Sequence, residues 1–301
     1  MILNQEEQQE RLYSLSETMG SQLISYIQDK NITGIFINSD SKLWLKKSGI
    51  KYANYICDIP EYQRYTILCK IADLNNTVIN EYNADLSGSV ILENRLLRIQ
   101  GSIPPISKGS SITIRLHNDI LLSLNNYIED KLITDNQLEI LKTALVKEKN
   151  IIIAGGTNSG KTTFLNSLLL ELNTLNQDLR CIVLEDTSEI TCKLPNTEYL
   201  KSDAKNSLND LLVSTLRREP DRIIIGEIRT GIVALEFLKA CNTGHQGLIA
   251  TIHADSAKKS INRLEQLLLE VSQNNMQELI NNSINMVVYM QNRRVQEILE
   301  V

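Results

Sequence analysis

The sequence lacks several features that mark whole classes of protein. Its five cysteines form no CxxC pair, which favours reduced thiols over a zinc module or a disulfide framework. Aromatic residues make up only 5% and the net charge is −5, so the chain has little material for stacking bases or neutralising a phosphate backbone. The longest apolar runs, such as SLLLEL, are too short to span a bilayer, and the acidic, polar MILNQEEQQERLY is unlike a signal peptide.

The first part of the chain predicts a small α+β domain. With 301 residues and 42% hydrophobic content, the chain is long enough for two domains with cores. Apolar residues recur in steps of three and four at Leu12, Leu15, Met19, Leu23 and Ile27, which indicates an amphipathic helix. Two strands are predicted around the polar turn at 38–41, a helix after Pro60, and further strands in RLLRIQGSIPPI and SITIRL. We assign 1–116 to this domain and 117–133 to a linker.

The rest of the chain, 134–301, predicts a second domain with a mainly parallel sheet. A helix from Thr134 to Lys147 is followed by the strand-like runs NIIIAGG, RCIVLED, DRIIIGE and GLIATIH. Apolar strands that alternate with helices indicate a parallel sheet covered on both faces. The closing INMVVYMQ and RRVQEILEV predict two strands around Asn292.

The stretch GGTNSGKTT is a phosphate-binding loop. It matches G-x-x-x-x-G-K-[ST] between a predicted strand and a helix predicted over Thr163 to Leu172, the context that the motif requires. Lys161 is expected to reach the β- and γ-phosphates of ATP, and the Thr162 hydroxyl is expected to ligate Mg²⁺. The predicted nucleotide contacts of the loop are Gly155, Gly156, Thr157, Asn158, Ser159, Gly160, Lys161, Thr162 and Thr163.

The run RIIIGE ends without the Asp that commonly holds the metal in such ATPases. Glu185, in IVLEDTSEI, and Glu227 both follow predicted strands, so they are expected at the same sheet edge as the loop. We therefore predict that Glu185 holds Mg²⁺ through its water shell and that Glu227 polarises the attacking water. The alternative for Glu185, Asp186 and Glu189 is a solvated acidic loop.

Two of the three histidines lie in TGHQGLIATIHA. His253 ends a predicted strand at the same edge, where a sensor of the γ-phosphate would lie, and His245 lies in the loop before that strand. A zinc pair is disfavoured because no third ligand is near. The structural alternative is that both are ordinary loop histidines.

The four stretches GGTNSGKTT, IVLEDTSEI, RREPDRIIIGEIR and TGHQGLIATIHA occur in the order of the Walker A, Asp box, Walker B and His box of the secretion and traffic ATPases. The chain resembles the type IV secretion branch of that family, and within it the TrbB-type conjugal transfer proteins. GSIPPI, ITIRL and RRVQEILEV also resemble that subfamily. The resemblance implies a RecA-like P-loop NTPase domain preceded by a smaller α+β domain, with ATP and Mg²⁺ as cofactors.

The resemblance further implies a hexameric ring at the cytoplasmic face of the inner membrane, with secretion components as partners and peripheral membrane association possible. Arg98 and Arg115 match the arginines that close over the nucleotide, although surface arginines on strand edges are the alternative. Arg217 and Arg229 match arginines beside the Walker B strand. Glu219, where the family commonly has Arg, and Asn158 depart from the pattern.

Three other functions stay open at this point. A type II secretion or pilus ATPase often inserts a four-cysteine zinc module, which this cysteine spacing does not support. A nucleic-acid motor is disfavoured by the acidic charge and few aromatics. A nucleotide-dependent scaffold or switch with little turnover is compatible with the motifs.

Overall fold

The computed structural model describes residues 5–116, 121–203, 205–274 and 276–301. The chain divides into two compact units, Met1–Asp119 and Ile120–Val301. Residues 117–120, at the start of the predicted linker, lie outside the described residues. Within the described ranges, no helix is long and apolar enough to cross a membrane.

The first unit is a six-stranded antiparallel sheet packed against two helices. Its elements are α1 (Gln5–Gln28), β1 (Ile32–Ile37), β2 (Lys42–Lys47), β3 (Asn54–Asp58), α2 (Glu61–Leu74), β4 (Asp85–Leu92), β5 (Arg95–Ser102) and β6 (Ser111–Leu116). The strand order is β3-β2-β1-β6-β5-β4. The predicted α+β character of this unit is confirmed.

The core of the first unit follows the helical spacing read from the sequence. Leu15, Met19, Leu23 and Ile27 of α1 are at most 2% exposed and join the buried residues of α2 and the sheet. Gly20, with φ 77°, interrupts the helical backbone between them. The periodic apolar face therefore predicted the helix correctly but not its interruption.

The second unit is built on a seven-stranded sheet. Its elements are α3 (Leu124–Glu129), α4 (Asp135–Val146), β7 (Ile151–Gly155), α5 (Lys161–Leu175), β8 (Cys181–Glu185), β9 (Thr197–Lys201), α6 (Leu208–Thr215), β10 (Arg222–Ile225), α7 (Gly231–Asn242), β11 (Ile249–Ile252), α8 (Ala257–Leu269), α9 (Gln277–Ser283), β12 (Met286–Gln291) and β13 (Arg294–Glu300). The strand order is β13-β12-β7-β11-β10-β8-β9, and every neighbouring pair is parallel except β12 with β13.

The central strands of this sheet are buried on both faces. All residues of β7, β8, β10 and β11 are buried. Alternate residues of β7 belong to different cores, Ile152 to the one with α6, α7 and α8, and Ile153 to the one with α3, α4 and α5. This arrangement confirms the predicted parallel sheet covered by helices.

Short polar motifs fix the helices at the start of this unit. Ser123 and Asn126 form a reciprocal capping box at α3, which occupies part of the predicted linker range. Thr134 and Gln137 do the same at α4, where the sequence predicted a helix. Capping of this kind satisfies amides that have no partner within the helix.

Parallel pairing brings the predicted functional stretches to one edge of the sheet. The phosphate-binding loop follows the carboxyl end of β7, and Glu185 is the last residue of β8. Glu227 and His253 follow the carboxyl ends of β10 and β11. In parallel α/β sheets this is the edge where ligands bind.

Candidate functional site

The phosphate-binding loop has a backbone that its small residues permit. Asn158 and Gly160 have φ angles of 60° and 97°, in the left-handed region that Asn and Gly tolerate best. A Cβ on Gly155 would lie 2.4 Å from Ser159 Oγ and 2.5 Å from the carbonyl oxygen of Met290, so only glycine fits there. The loop leads into the 15-residue helix α5, whose first amides and dipole favour an anion.

The Lys161 side chain folds back onto the first residues of this loop. Its Nζ donates to the carbonyl oxygens of Gly155 at 2.9 Å and Gly156 at 2.8 Å. Burial lowers the pKa of Lys161, and the negative charges of Glu227 and Glu189 act in the opposite direction. The ammonium is therefore held in the loop between backbone dipoles and two carboxylates.

Glu227 is held by basic groups on both of its oxygens. His253 Nε2 lies 3.1 Å from Glu227 Oε1, and Arg229 Nη2 lies 2.7 Å from Oε2. The other ring nitrogen, His253 Nδ1, lies 3.5 Å from the Lys161 ammonium, which can only donate. This geometry assigns the proton of a neutral imidazole to Nε2, which then donates to Glu227.

The charge state of His253 agrees with this assignment. Burial lowers the pKa of His253, the charges of Lys161 and Arg229 lower it further, and Glu227 opposes them. On Arg229, the hydrogen bond to Glu227 is the main influence and raises the pKa. The cluster thus pairs a neutral histidine and a charged arginine with one carboxylate.

The backbone that carries Glu227 is fixed by its neighbouring strands. The amide of Gly226 donates to the carbonyl of Leu184 at 2.8 Å, and the Thr251 hydroxyl donates to the carbonyl of Gly226 at 2.6 Å. The amide of Ile228 donates to the carbonyl of Thr251 at 2.9 Å. Thr251 is only 2% exposed, so these bonds fix the backbone on both sides of Glu227 in the protein interior.

Two glutamates of the acidic stretch have different surroundings. Glu185 is 4% exposed, and its Oε1 accepts from the amides of Glu189 at 2.7 Å and Ile190 at 2.8 Å. The loop is thereby folded back so that Glu189 Oε2 accepts from the Thr162 hydroxyl at 3.0 Å. The carboxylate beside Thr162 is therefore Glu189, which the sequence analysis did not select.

Two of the predicted nucleotide contacts lie away from this group. Arg217 and His245 precede β10 and β11, whereas the phosphate-binding loop, Glu227 and His253 follow the carboxyl ends of their strands. The four residues of β11 span about 13 Å, so the two histidines lie at opposite edges of the sheet. The structure does not bring Arg217 or His245 to the phosphate-binding loop.

Arg98 and Arg115 belong to the first unit. They are directly paired across β5 and β6, which brings the two predicted arginines together on one sheet. Arg115 is exposed and Arg98 is half-buried. Arg95, three residues before Arg98, is instead buried and donates to the backbone carbonyls of residues 27, 29 and 32.

The turn between β12 and β13 also contacts the phosphate-binding loop, which the sequence analysis did not foresee. Asn292 and Arg293 have φ angles of 51° and 66°, as a tight hairpin turn requires. The amide of Arg293 donates to the carbonyl of Ser159 at 2.9 Å. A Cβ on Gly160 would lie 3.2 Å from Arg293 Cα and 3.6 Å from its Cβ and Cγ.

Known proteins are similar to this chain in sequence and in fold. The family described as Type II/IV secretion system protein matches residues 69–296. Conjugal transfer protein TrbB of Rhizobium radiobacter is 34% identical over 291 residues, which cover 95% of this chain and 89% of that protein. The X-ray structure of the Legionella pneumophila ATPase DotB has a TM-score of 0.68 and 17% identity, over 90% of this chain and 75% of that chain.

The VirB11 ATPase from the Brucella suis type IV secretion system, crystallised in complex with sulphate, has a similar fold. Its TM-score is 0.50 at 23% identity, over 98% of this chain and 96% of that chain. The structural likenesses support the fold, while the family assignment rests on the sequence matches. The chain belongs to the family of type II/IV secretion system proteins, as a TrbB-like member of the type IV secretion and conjugal transfer ATPases.

Proposed function

We propose that the protein hydrolyses ATP to power conjugative pilus assembly or substrate transfer through a type IV secretion system. The observation that carries this proposal is the Glu227 carboxylate, held by His253 at 3.1 Å and Arg229 at 2.7 Å beside the phosphate-binding lysine. A carboxylate fixed at that position can accept a proton from, or polarise, a water that attacks the terminal phosphate.

The phosphate-binding loop supplies the charge stabilisation. The amides at the start of α5 and the Lys161 ammonium surround the position of the phosphates and favour their negative charge. His253 lies between Lys161 and Glu227 and donates to the carboxylate. Through these contacts it can link the phosphate end of the site to the base, as a sensor of the terminal phosphate would.

The oxygen groups at Thr162 fit a magnesium ion. Thr162 Oγ1 and Glu189 Oε2, 3.0 Å apart, are the hard oxygen donors that Mg²⁺ prefers, and Glu185 supports the same loop. Thr162 and Glu189 would hold the ion, with Glu185 acting through its water shell. When bound, Mg²⁺ neutralises charge on the phosphate oxygens.

Several features of the proposal extend beyond the second unit. Arg98 and Arg115, paired on the sheet of the first unit, would act on the charge of the bound nucleotide. The functional assembly would be a hexameric ring on inner-membrane secretion components at the cytoplasmic face. These statements rest on the family and on the pairing of the two arginines. A switch with little intrinsic turnover remains the second candidate, since the same contacts also serve nucleotide binding alone.

The first experiment is steady-state ATP hydrolysis over a range of protein concentrations, with Glu227→Gln beside the parent. Turnover that rises more steeply than concentration and falls at least a hundredfold in the variant, with ATP binding retained, supports an oligomeric ATPase that uses Glu227. Glu236→Gln, a glutamate on α7 that is ion-paired with Lys239, is the matched control and is expected to keep parental turnover. ATP binding without turnover in the parent favours the switch.

A further inference from the structure

The loop after β8 is attached to the helix that follows the phosphate-binding loop. Thr162 and Asn166 lie four residues apart on α5, so their side chains share one face of that helix. The Thr162 hydroxyl donates to Glu189 Oε2 at 3.0 Å. One turn further along, Asn166 Oδ1 accepts from the amide of Thr191 at 3.0 Å, and Asn166 Nδ2 donates to the carbonyl oxygen of Glu189 at 3.4 Å. Asn166 therefore binds the backbone of the residue whose carboxylate contacts Thr162.

Two side chains bind consecutive polar groups of this loop's backbone. Glu185 Oε1 accepts from the amides of Glu189 at 2.7 Å and Ile190 at 2.8 Å. Asn166 binds the next amide, that of Thr191, and the carbonyl of Glu189. Glu185 is the last residue of β8, whereas Asn166 lies in α5. The loop is therefore fixed both to the sheet and to the helix that begins at the phosphate-binding lysine.

Asparagine suits this position because its amide offers an acceptor and a donor at the same time. A carboxylate of the same length could accept from the Thr191 amide but could not donate to the Glu189 carbonyl. Without the Asn166 side chain, the described hydrogen bonds that remain on the backbone of Glu189 are those to Glu185. The position of the Glu189 carboxylate beside Thr162 therefore depends in part on Asn166.

We infer that Asn166 is a positioning residue for the metal site, because it holds the Glu189 carboxylate beside the Thr162 hydroxyl. This inference rests on the proposed function, since it requires that Thr162 and Glu189 hold the Mg²⁺ of the nucleotide complex. Asn166 lies one helical turn, about 5.4 Å, beyond Thr162, so it acts through Glu189 and not on the ion itself. Residues that orient a metal ligand typically contribute about 10- to 100-fold to metal affinity.

The test measures Mn²⁺ binding by electron paramagnetic resonance, with the protein in excess over ADP, because Mn²⁺ accepts the same oxygen ligands as Mg²⁺. Asn166→Ala is expected to weaken Mn²⁺ binding about tenfold, at the low end for such residues, because Glu185 still holds the loop. Asn166→Leu, which keeps the volume but lacks the amide, is expected to show the same loss. The matched control Asn173→Ala changes a half-buried asparagine two turns further along α5 and is expected to bind Mn²⁺ as the parent does. ADP affinity without a divalent ion is expected to stay unchanged, because the described side-chain hydrogen bonds of Asn166 go to the loop after β8.

A double-mutant cycle with Glu189→Gln separates the positioning of Glu189 from general support of the helix. Because Asn166 acts through the Glu189 carboxylate, the double variant is expected to stay near the about tenfold loss of each single variant, whereas independent effects would multiply to about a hundredfold. Mn²⁺ binding equal to the parent in Asn166→Ala, or multiplied losses in the cycle, overturns the role of Asn166. A parent protein that binds no ADP, or binds ADP without Mn²⁺, overturns the proposed nucleotide and metal site itself, so the two failures are distinct.

Discussion

Thr251→Val tests whether the backbone beneath Glu227 sets the rate of hydrolysis. The Thr251 hydroxyl donates to the carbonyl of Gly226 at 2.6 Å, and the side chain is 2% exposed. Valine keeps the shape and the β-branch but removes this hydrogen bond, which contributes about 1 kcal/mol to the free energy of unfolding. The carbonyl belongs to the residue just before Glu227, so its release loosens the backbone that carries the carboxylate.

A displacement of about 1 Å at a catalytic group can cost up to about a hundredfold in rate. The carboxylate keeps its contacts with His253 and Arg229, so we expect a smaller loss, about tenfold in kcat, or about 1.4 kcal/mol in activation free energy. The affinity for ATP is expected to stay within about twofold, because Thr251 has no contact with the phosphate-binding loop among the described hydrogen bonds.

Thr215→Val is the matched control. Thr215 is fully buried in α6, and its hydroxyl donates to the carbonyl of Leu211 at 2.8 Å, so the same chemical group is lost outside the site. Urea unfolding is expected to give similar destabilisation for both variants, whereas steady-state hydrolysis is expected to fall only in Thr251→Val. Equal kcat in the two variants would refute the argument that this hydrogen bond positions Glu227.

Two further predictions concern the metal and the histidine. Glu189→Gln keeps an acceptor for Thr162 but removes a charge, so the Mg²⁺ concentration for half-maximal hydrolysis should rise about tenfold. The exposed control Glu139→Gln should leave that concentration unchanged. An unchanged Mg²⁺ concentration in Glu189→Gln would exclude Glu189 as a ligand. Burial and the charge of Lys161 lower the pKa of His253 in the nucleotide-free protein, so kcat/KM should hold as the pH falls to the ordinary histidine pKa of about 6.5 and decline only below it. The unfolded chain takes up this proton first, so the stability that neutral His253 contributes is also lost below that pH. A midpoint of kcat/KM above about 6.5 would contradict the assignment.

The parts of the fold that the sequence predicted well are those with a strong periodic signal. The steps of α1 and the fully apolar runs of β7, β8, β10 and β11 identify buried elements directly. The strands β3, β4 and β9 were not predicted, and all three lie at sheet edges. β3 and β9 carry mostly exposed or half-buried side chains, so they lack the alternation by which a half-buried strand is recognised.

The candidate site was predictable where a residue directly follows a parallel strand. Glu227 and His253 were selected in this way, and the structure brings them within 3.1 Å of each other. His245 was selected because it lies with His253 in the stretch TGHQGLIATIHA, but the strand β11 separates the two. Glu189 was overlooked because its approach to Thr162 depends on two backbone amides that fold back onto Glu185, a tertiary detail without a sequence signal.

The arrangement of the site explains why β10 is followed by Gly226 and Glu227 and not by an Asp that holds the metal. A carboxylate directly after β10 is held by His253 and Arg229, while the carboxylate beside Thr162 comes from the loop after β8. The proposed base and the proposed metal ligand therefore follow different strands. Arg229, which contacts Glu227, also lies 3.7 Å from Asp186 in the loop after β8, so it connects Glu227 to that loop. A shift of that loop on metal binding would change the partners of Arg229, and through them the position of the base.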